Sequence, residues 1–414
     1  MSKLFALEEL DTNDTSVELE ASPEVGEVAD VQVEVEQEVA DAAQDSEAIE
    51  EGIGAADQLE QVEDVVAGAV EEGEGLDPVA AESIRIAVEA ICARVGANPK
   101  AVYSLYAREN FASASSRKAN TKFALEGIGE FLKDLWKKIK GALTRLMEKA
   151  KAFWEKHFST LGRVKKALES AKAKVSESSG KLKDKAYIEE APSSLVEAFA
   201  GKDDISVAVV KKYIAAHRAC TKSADDLGSG ISKLNDLAEK AAAAGGEEIK
   251  NALEMLAASE EVHFGTEAAP LIGGTYITFK MEADRGEGDL TVEVEREHVE
   301  SKEAKLGLSV ADKAGLQDVI KDTLAVISDA AKAKEKQAKI DAAFSKLMLA
   351  IEKSVNKASE STSGEEVKAM RKLVKIIYKA NAKAPSLSAE LLALNIKLAK
   401  SVLGFTAVCL KQYK

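Results

Sequence analysis

The chain has 414 residues, enough for two or three domains, and is 46% hydrophobic but only 5% aromatic. Leu, Val, Ile and Ala must therefore build any core, and a composition with 31% charged residues and 6 prolines favours long helices over sheet. Cys92, Cys220 and Cys409 form no CxxC pair, which argues against a disulfide framework or a zinc site.

The net charge of −15 is unevenly distributed along the chain. Residues 1–126 hold 29 Asp and Glu against 8 Lys and Arg, whereas residues 127–414 hold 42 acids against 48 bases. Such an asymmetry indicates an acidic segment joined to a body with different partners. It is equally compatible with a solubilising tail that stays attached and with a segment that is removed. Removal would change the net charge of the remaining protein from negative to positive.

No targeting or membrane segment is expected in this sequence. The N-terminus lacks the apolar stretch of a secretory signal. The best apolar run, Leu398–Leu410, is too short to cross a membrane and contains Lys400. We therefore expect a protein that is neither exported by its own signal nor anchored in a bilayer.

The acidic N-terminal segment, residues 1–82, predicts disorder. Residues 9–82 contain no Lys, no Arg and no aromatic residue, so little apolar surface is available to offset the entropy of ordering. Val31–Glu36 alternates like a strand, but like charges along one face disfavour a stable one.

Residues 83–126 predict short helices followed by a flexible linker. One helix should stop at Gly96–Pro99, and a second should cover Lys100–Ala107. Phe111–Lys122 is small, polar and basic, which is typical of a linker that proteases cut readily. It leads to Phe123-Ala124-Leu125-Glu126, followed by Gly127, and the same tetrapeptide occurs near the N-terminus as Phe5–Glu8. The second copy predicts a processing site.

A basic amphipathic helix is predicted from Gly127 to Phe158. Its apolar residues recur every three or four positions and include both tryptophans of the protein. Such a helix can lie on a membrane or bind a partner, but in an all-helical protein the apolar stripe can simply be core. The opposite face carries candidate contacts for DNA or a membrane: Lys133, Lys137, Lys138, Lys140, Arg145 and Lys149.

The rest of the chain predicts helices interrupted by one β-hairpin. Thr275–Glu282 and Leu290–Glu297 alternate with period two around a turn, and His263–Ile272 could add a third strand. The alternation places Thr278 on the outer face and the following residues on the buried face: Ile277, Phe279, Met281, Leu290, Val292 and Val294. Pro385 should separate the last two helices into an αα-hairpin. The fold class is therefore mainly α, with an acidic disordered propeptide, a multi-helix bundle body and one inserted hairpin. The expected regions are 1–82, 83–126, 127–262 (helical), 263–309 (hairpin) and 310–414 (helical).

No catalytic or cofactor motif stands out. The four histidines have no metal-binding spacing, and there is no phosphate-binding loop, nucleophile elbow or dinucleotide fingerprint. Asp284–Asp289 faintly resembles a calcium loop but lacks the EF-hand ligand positions, so a hairpin turn explains it better. We expect a protein that is not an enzyme and that needs no cofactor.

The layout resembles internal head proteins (inner-body or prohead-core proteins) of large contractile-tailed bacteriophages. In that family a prohead protease recognises a three-residue motif, which is a small or apolar residue, any residue and then Glu, and it cuts after the Glu. A discarded acidic propeptide precedes a helical body. The resemblance implies cleavage at Ala124-Leu125-Glu126, before Gly127. Three further motifs in the acidic part fit the same pattern and could be trimming sites: Ala6-Leu7-Glu8, Ala48-Ile49-Glu50 and Ala69-Val70-Glu71.

The leading hypothesis is a structural protein of the capsid interior, made in the host cytoplasm, cut after Glu126 and packaged beside the genome, with ejection as a family possibility. Its expected partners are the prohead protease, other capsid or inner-body proteins and, non-specifically, packaged DNA. Two alternatives stay open. One is a membrane-active protein whose helix 127–158 is unmasked by processing, and the other is an uncleaved intracellular helical scaffold or adaptor.

Overall fold

The chain forms two compact units, and neither is contiguous in sequence. The first comprises Met1–Ala40, Lys151–Met370 and Leu387–Lys414, and the second comprises Asp41–Ala150 and Arg371–Ser386. The computed structural model describes residues 23–96, 111, 113–182, 186–199, 203–244, 251, 260–283, 290–299, 306–361 and 364–413.

Long helices dominate the fold, and the prediction of a mainly α protein with one inserted β-hairpin is confirmed. The helices are α1 Pro23–Glu71, α2 Pro78–Arg94, α3 Ala114–Glu177, α4 Ser193–Ala198, α5 Val207–Ala244, α6 Lys313–Ser361 and α7 Gly364–Leu410. The strands are β1 Tyr187–Ile188, β2 Glu260–Phe264, β3 Thr275–Ala283, β4 Leu290–His298 and β5 Leu308–Ser309. In the first unit α5 packs along α6, and β1 pairs antiparallel with β5.

The predicted disorder of the acidic segment is wrong for Pro23–Glu71, which is helical throughout. The buried apolar residues of the helix recur mostly every three or four positions, a spacing that places successive ones on the same side. Burial of this stripe offsets the ordering entropy that the composition was expected to leave unopposed. The buried residues are Val25, Val28, Val31 and Val35 in the first unit and Ile49, Ile53, Ala56 and Leu59 in the second.

The segment before the processing motif is also helical from Ala114 onward, so the flexible linker expected there is not seen. Thr121 is buried, and its hydroxyl accepts a hydrogen bond of 2.8 Å from the backbone N–H of Leu76. Gly75, at φ +68°, packs so closely on the backbone of Arg117 that an added Cβ would lie within 2.8 Å of it. These contacts hold the start of α3 against the α1–α2 loop. The helix predicted over Lys100–Ala107 lies outside the described residues.

The predicted hairpin is confirmed, and it gains a third strand. The sheet order is β2-β3-β4, all antiparallel, with Phe279 opposite Val294 and Met281 opposite Val292. Ile277, Phe279, Met281 and Val292 are buried as predicted, and Val294 is half-buried, whereas the side chain of Leu290 lies outside the described residues. Thr278, expected on an exposed face, is only 7% exposed and lies within 3.2 Å of the Nδ1 of its cross-strand partner His263.

The break expected at Pro385 is absent, because α7 runs unbroken from Gly364 to Leu410 with Pro385 inside it. Proline removes one backbone donor and crowds the preceding turn, which normally ends or kinks a helix. Here Ala384, Ser386 and Leu387, on both sides of the proline, are buried. Packing of these flanking residues outweighs the local preference.

A buried histidine joins three elements of the first unit. The backbone N–H of Ile272 donates to Nε2 of His217 at 3.0 Å, and Nδ1 lies 2.8 Å from Oδ1 of Asn395 in α7. Since Nε2 accepts, Nδ1 must carry the proton and donate to the amide oxygen. Burial lowers the pKa of His217 to about 4, so the ring is neutral at physiological pH.

Candidate functional site: processing motifs and the acidic helix

The leading processing motif, Ala124-Leu125-Glu126, lies inside α3. Ala124 is fully buried, Leu125 and Gly127 are half-buried, and only Glu126 is exposed. Proteases cut exposed, flexible backbone most readily. In this conformation the bond between Glu126 and Gly127 is therefore protected, and a protease reaches it only after local unwinding of α3.

The other three motifs have different surroundings. Ala6-Leu7-Glu8 lies outside the described residues. Glu50 lies within α1 and is paired with Lys383 at 2.5 Å. Glu71 is exposed at the last position of α1, where the chain enters the exposed stretch Glu72–Glu74. Among the motifs that the structure describes, only the one at Glu71 opens directly into an exposed loop.

In the second unit the acidic helix α1 is paired with cations of α7. Glu63 contacts Arg371 at 2.6 Å, Asp57 contacts Lys375 at 2.7 Å, and Glu50 contacts Lys383. Acid numbers fall as base numbers rise, so the paired stretches run antiparallel. A further pair at 2.5 Å joins Asp45 to Lys149 of α3. The negative charge of α1 is thus balanced by residues far away in sequence.

Glu60, a further acid of α1 in the second unit, lies close to Arg371 and Trp136. Burial raises its pKa to about 7, and the guanidinium of Arg371, at 3.8 Å, only partly opposes this effect. The indole N–H of Trp136 donates to Oε1 of Glu60 at 3.3 Å, and the Trp136 ring meets the edge of Tyr378 with centroids 5.9 Å apart. One tryptophan of the predicted amphipathic helix is therefore half-buried against α1 and α7.

In the first unit α1 is paired with the middle of α3. Lys156 contacts Glu34 at 2.7 Å and Glu38 at 2.5 Å, and Nε2 of the buried His157 lies 2.9 Å from Glu38. The hydrogen bond from Lys156 lowers the pKa of Glu34. Burial acts to raise the pKa of Glu38, but hydrogen bonds from Lys156 and His157 outweigh it and leave that pKa lowered. Both carboxylates are held ionised.

Comparison with known proteins decides the family. A model of the phiKZ-like phage internal head proteins matches residues 16–407. The chain belongs to this family. Searches of curated proteins and of solved structures each gave no significant match. The resemblance inferred from the sequence is confirmed, and the match includes most of the acidic segment as well as the helical body.

An internal head protein lies inside the phage capsid, and this chain is therefore a structural protein of the virion interior that associates with other capsid components. The family is a structural one. In the parts of the chain that the structure describes, no group of three or more His, Cys, Asp or Glu residues could hold a metal ion.

The basic residues singled out on α3 of this internal head protein are mostly solvent-exposed. Lys133, Lys137, Lys138 and Arg145 are exposed, and Lys140 is half-buried. Lys137 contacts Asp134 of its own helix at 3.3 Å, and Lys149 contacts Asp45. The acidic helix is paired with Lys149, while Lys133, Lys137, Lys138 and Arg145 are exposed to solvent.

The apolar stripe of α3 is core. Ile128, Leu132, Leu135, Ile139 and Leu143 are all buried in the second unit. Within the described ranges, one helical segment, Lys368–Leu410, is long and apolar enough to cross a membrane by length and composition, but 67% of its most apolar window is buried inside the protein. In the intact chain, neither stripe faces outward as a membrane-binding helix would require.

Sequence reasoning missed the cations of α7. Arg371, Lys375 and Lys383 are separated by multiples of four residues, a spacing that places them close to one side of a helix. The mildly basic composition of the C-terminal region hid this pattern, since lysine occurs on every side of these helices. The acids at 50, 57, 60 and 63 are spaced by seven and three, which is the corresponding signal in α1.

Proposed function

We propose that this internal head protein is made as a precursor in the host cytoplasm, enters the prohead, and is cut after Glu126 by a prohead protease during head maturation. Residues 127–414 then remain packaged beside the genome, and ejection with the DNA is an extension of the same proposal. The mature part acts as a structural protein with no enzymatic activity.

The observation that carries the proposal is the coincidence of the motif with the change in charge. Ala124-Leu125-Glu126 ends a segment of net charge −21, and the remainder of the chain is net basic. Membership of the internal head family supports processing in a head precursor. Because the motif is helical and half-buried in the folded precursor, the cut requires α3 to unwind locally or to be incompletely folded when the protease acts.

Mass spectrometry of natural particles tests this proposal. A species beginning Gly127-Ile128-Gly129-Glu130 is expected, and Glu126→Gln should abolish it without altering the fold, since Glu126 is exposed. A matched control is Glu130→Gln, which changes a second exposed acid one turn further along the same helix. Recovery of the intact 44.1 kDa chain from mature heads would rule the proposal out.

We also propose the exposed row Lys133, Lys137, Lys138 and Arg145, with Lys140 and Lys149 beside it, as a non-specific contact for packaged DNA. Exposed cations that neutralise phosphates release counterions, so binding should weaken steeply with salt. About four phosphates neutralised corresponds to a slope of about −3 to −4 in log K against log salt. Titration of duplex DNA with protein recovered from particles, and with the full-length chain, measures this slope. Equal binding by both forms would exclude a masking role for residues 1–126.

A further inference from the structure

The acidic helix α1 occupies a groove in the second unit with two kinds of complementary surface. Its apolar side is fully integrated into the core, with Ile49, Ile53 and Leu59 at 2% exposure or less. At Gly52 the helix approaches α3 so closely that an added Cβ would lie 3.1 Å from the side chain of Ile139. This side of the groove selects for an apolar stripe and for a small residue at the closest approach.

The other side of the groove is basic. The side chains of Arg371, Lys375 and Lys383 are only 30%, 11% and 19% exposed. The three paired carboxylates are 19%, 23% and 32% exposed. A cation so far removed from water is costly without a partner, so the groove needs an anion opposite each of these positions.

On the C-terminal side, an exposed loop connects α1 to the rest of the second unit. The helix ends at Glu71, and the chain turns through an exposed loop that includes Gly73 at φ +83° with no atom within 4 Å of an added Cβ. The contacts that hold α1 do not depend on this loop: they are the apolar stripe and ion pairs of the second unit and, in the first unit, the pairs of Glu34 and Glu38 with Lys156. A break in the loop removes none of these, although it falls within the hydrogen bond from the Gly75 N–H to the carbonyl of Ala69.

We propose that the second unit contains a docking groove for an acidic amphipathic helix, that α1 fills it in cis, and that after a chain break in the α1–α2 loop the groove retains α1 as a separate chain and exchanges it for the α1 of a second copy. The occupant is identified by chemistry. It must place carboxylates opposite three half-buried cations and an apolar stripe in the core between them. Duplex DNA satisfies the first requirement and fails the second.

This inference rests on the proposed function only where it concerns the phage particle, because only there must a natural protease break the chain. If a natural cut falls after Glu71 or Glu126, the acidic segment does not leave by dilution alone. It stays as a bound fragment until high salt, a competing acidic helix or further cuts in α1 remove it. The cut after Glu50 would divide the docked helix within the groove and weaken both halves.

An engineered break tests the groove without relying on the natural protease. A recognition sequence for a site-specific protease is inserted between Gly73 and Glu74 of the full-length chain, and thermal unfolding of the uncut protein is matched to wild type. After cutting, the two fragments should co-elute in gel filtration at about 0.1 M salt and separate progressively toward about 1 M salt, where the Debye length is about 3 Å. Fluorescently labelled N-terminal fragment should exchange between nicked molecules.

Two charge-matched triple variants separate specific pairing from general acidity. Glu50→Gln, Asp57→Asn and Glu63→Gln together should weaken retention of the fragment at least about 100-fold, because three half-buried cations lose their partners. Glu47→Gln, Glu51→Gln and Glu71→Gln remove the same charge from exposed positions and should change it by less than about threefold. Separation of the fragments at low salt, no exchange of label, or equal weakening by both triple variants would each overturn the docking groove. None of these results bears on whether Glu126 is cut in the particle.

Discussion

The matched pair Val66→Ala and Val65→Ala tests whether the acidic segment is part of the core or a loose tail. The two residues are neighbours on α1, yet Val66 is 0% exposed and Val65 is 61% exposed. Both lie in the second unit. Because the substitution and the helix are the same, backbone propensity changes equally in both variants and cancels in their difference.

The magnitude follows from what each substitution removes. Val66→Ala deletes two buried methyl groups, at about 0.8 kcal/mol each for transfer from water, and leaves a cavity that adds about 1 kcal/mol if the site does not collapse. Because alanine has a higher helix propensity than valine, the substitution also stabilises the helix by about 0.5 kcal/mol. Val66→Ala should therefore lower the free energy of unfolding of the second unit by about 2 kcal/mol. Val65→Ala should leave it unchanged or raise it by up to about 0.5 kcal/mol.

Urea unfolding followed by tryptophan fluorescence measures the difference. In a Trp154→Phe background the remaining tryptophan is Trp136, whose indole contacts Glu60 of α1 and Tyr378 of α7 within the second unit. Its signal therefore reports the unit that contains both valines. Equal midpoints for the two variants, with Trp136 responding normally, would show that α1 is not packed as described.

Two further predictions concern the first unit. His217→Asn should reduce the loss of stability at acid pH. The pKa of His217 is about 4 in the folded chain and 6.5 in the unfolded chain, so only the unfolded chain gains the proton as pH falls from 6.5 to 4. The free energy of unfolding of the wild type should therefore fall by about 1.4 kcal/mol per pH unit in that range. Equal loss in wild type and variant over that range would refute a buried neutral His217. Phe279→Asp places an uncompensated charge in the buried face of the sheet and should cost several kcal/mol, whereas Glu293→Gln, on the exposed face of the neighbouring strand, should cost less than about 0.5 kcal/mol. Thermal unfolding compares them, and similar midpoints would refute the strand register.

Much of the local structure could be read from periodicity alone. The alternation in β3 and β4 predicted the hairpin and the burial of Phe279 and Met281, and the three-and-four spacing after Gly127 predicted the helix that forms half of α3. Thr278 was assigned to the exposed face of the two-stranded hairpin because it alternates with the buried residues Ile277 and Phe279. Pairing with β2 places His263 beside it and covers it.

The acidic segment is where composition misled. Its charge suggested disorder, although Val25, Val28, Val31 and Val35 already carried a helical period. Composition describes a segment in isolation, and the segment alone contains no base to balance its acids. The balance comes from Lys149, Lys156 and the cations of α7.

The sequence by itself determined the helical class, the hairpin with most of its buried face, the charge step at Glu126 and the family resemblance, because each depends on local patterns or on charges counted along the chain. Only the tertiary structure decided that Pro23–Glu71 is ordered, that α3 continues through the processing motif, and that α7 continues through Pro385. The local preference that opposes these elements is about 3 kcal/mol for a proline inside a helix and about 1 to 2 kcal/mol per residue for ordering a flexible segment. Burial of apolar stripes and pairing of charges hundreds of residues apart outweigh it, and neither can be counted before the partners are known.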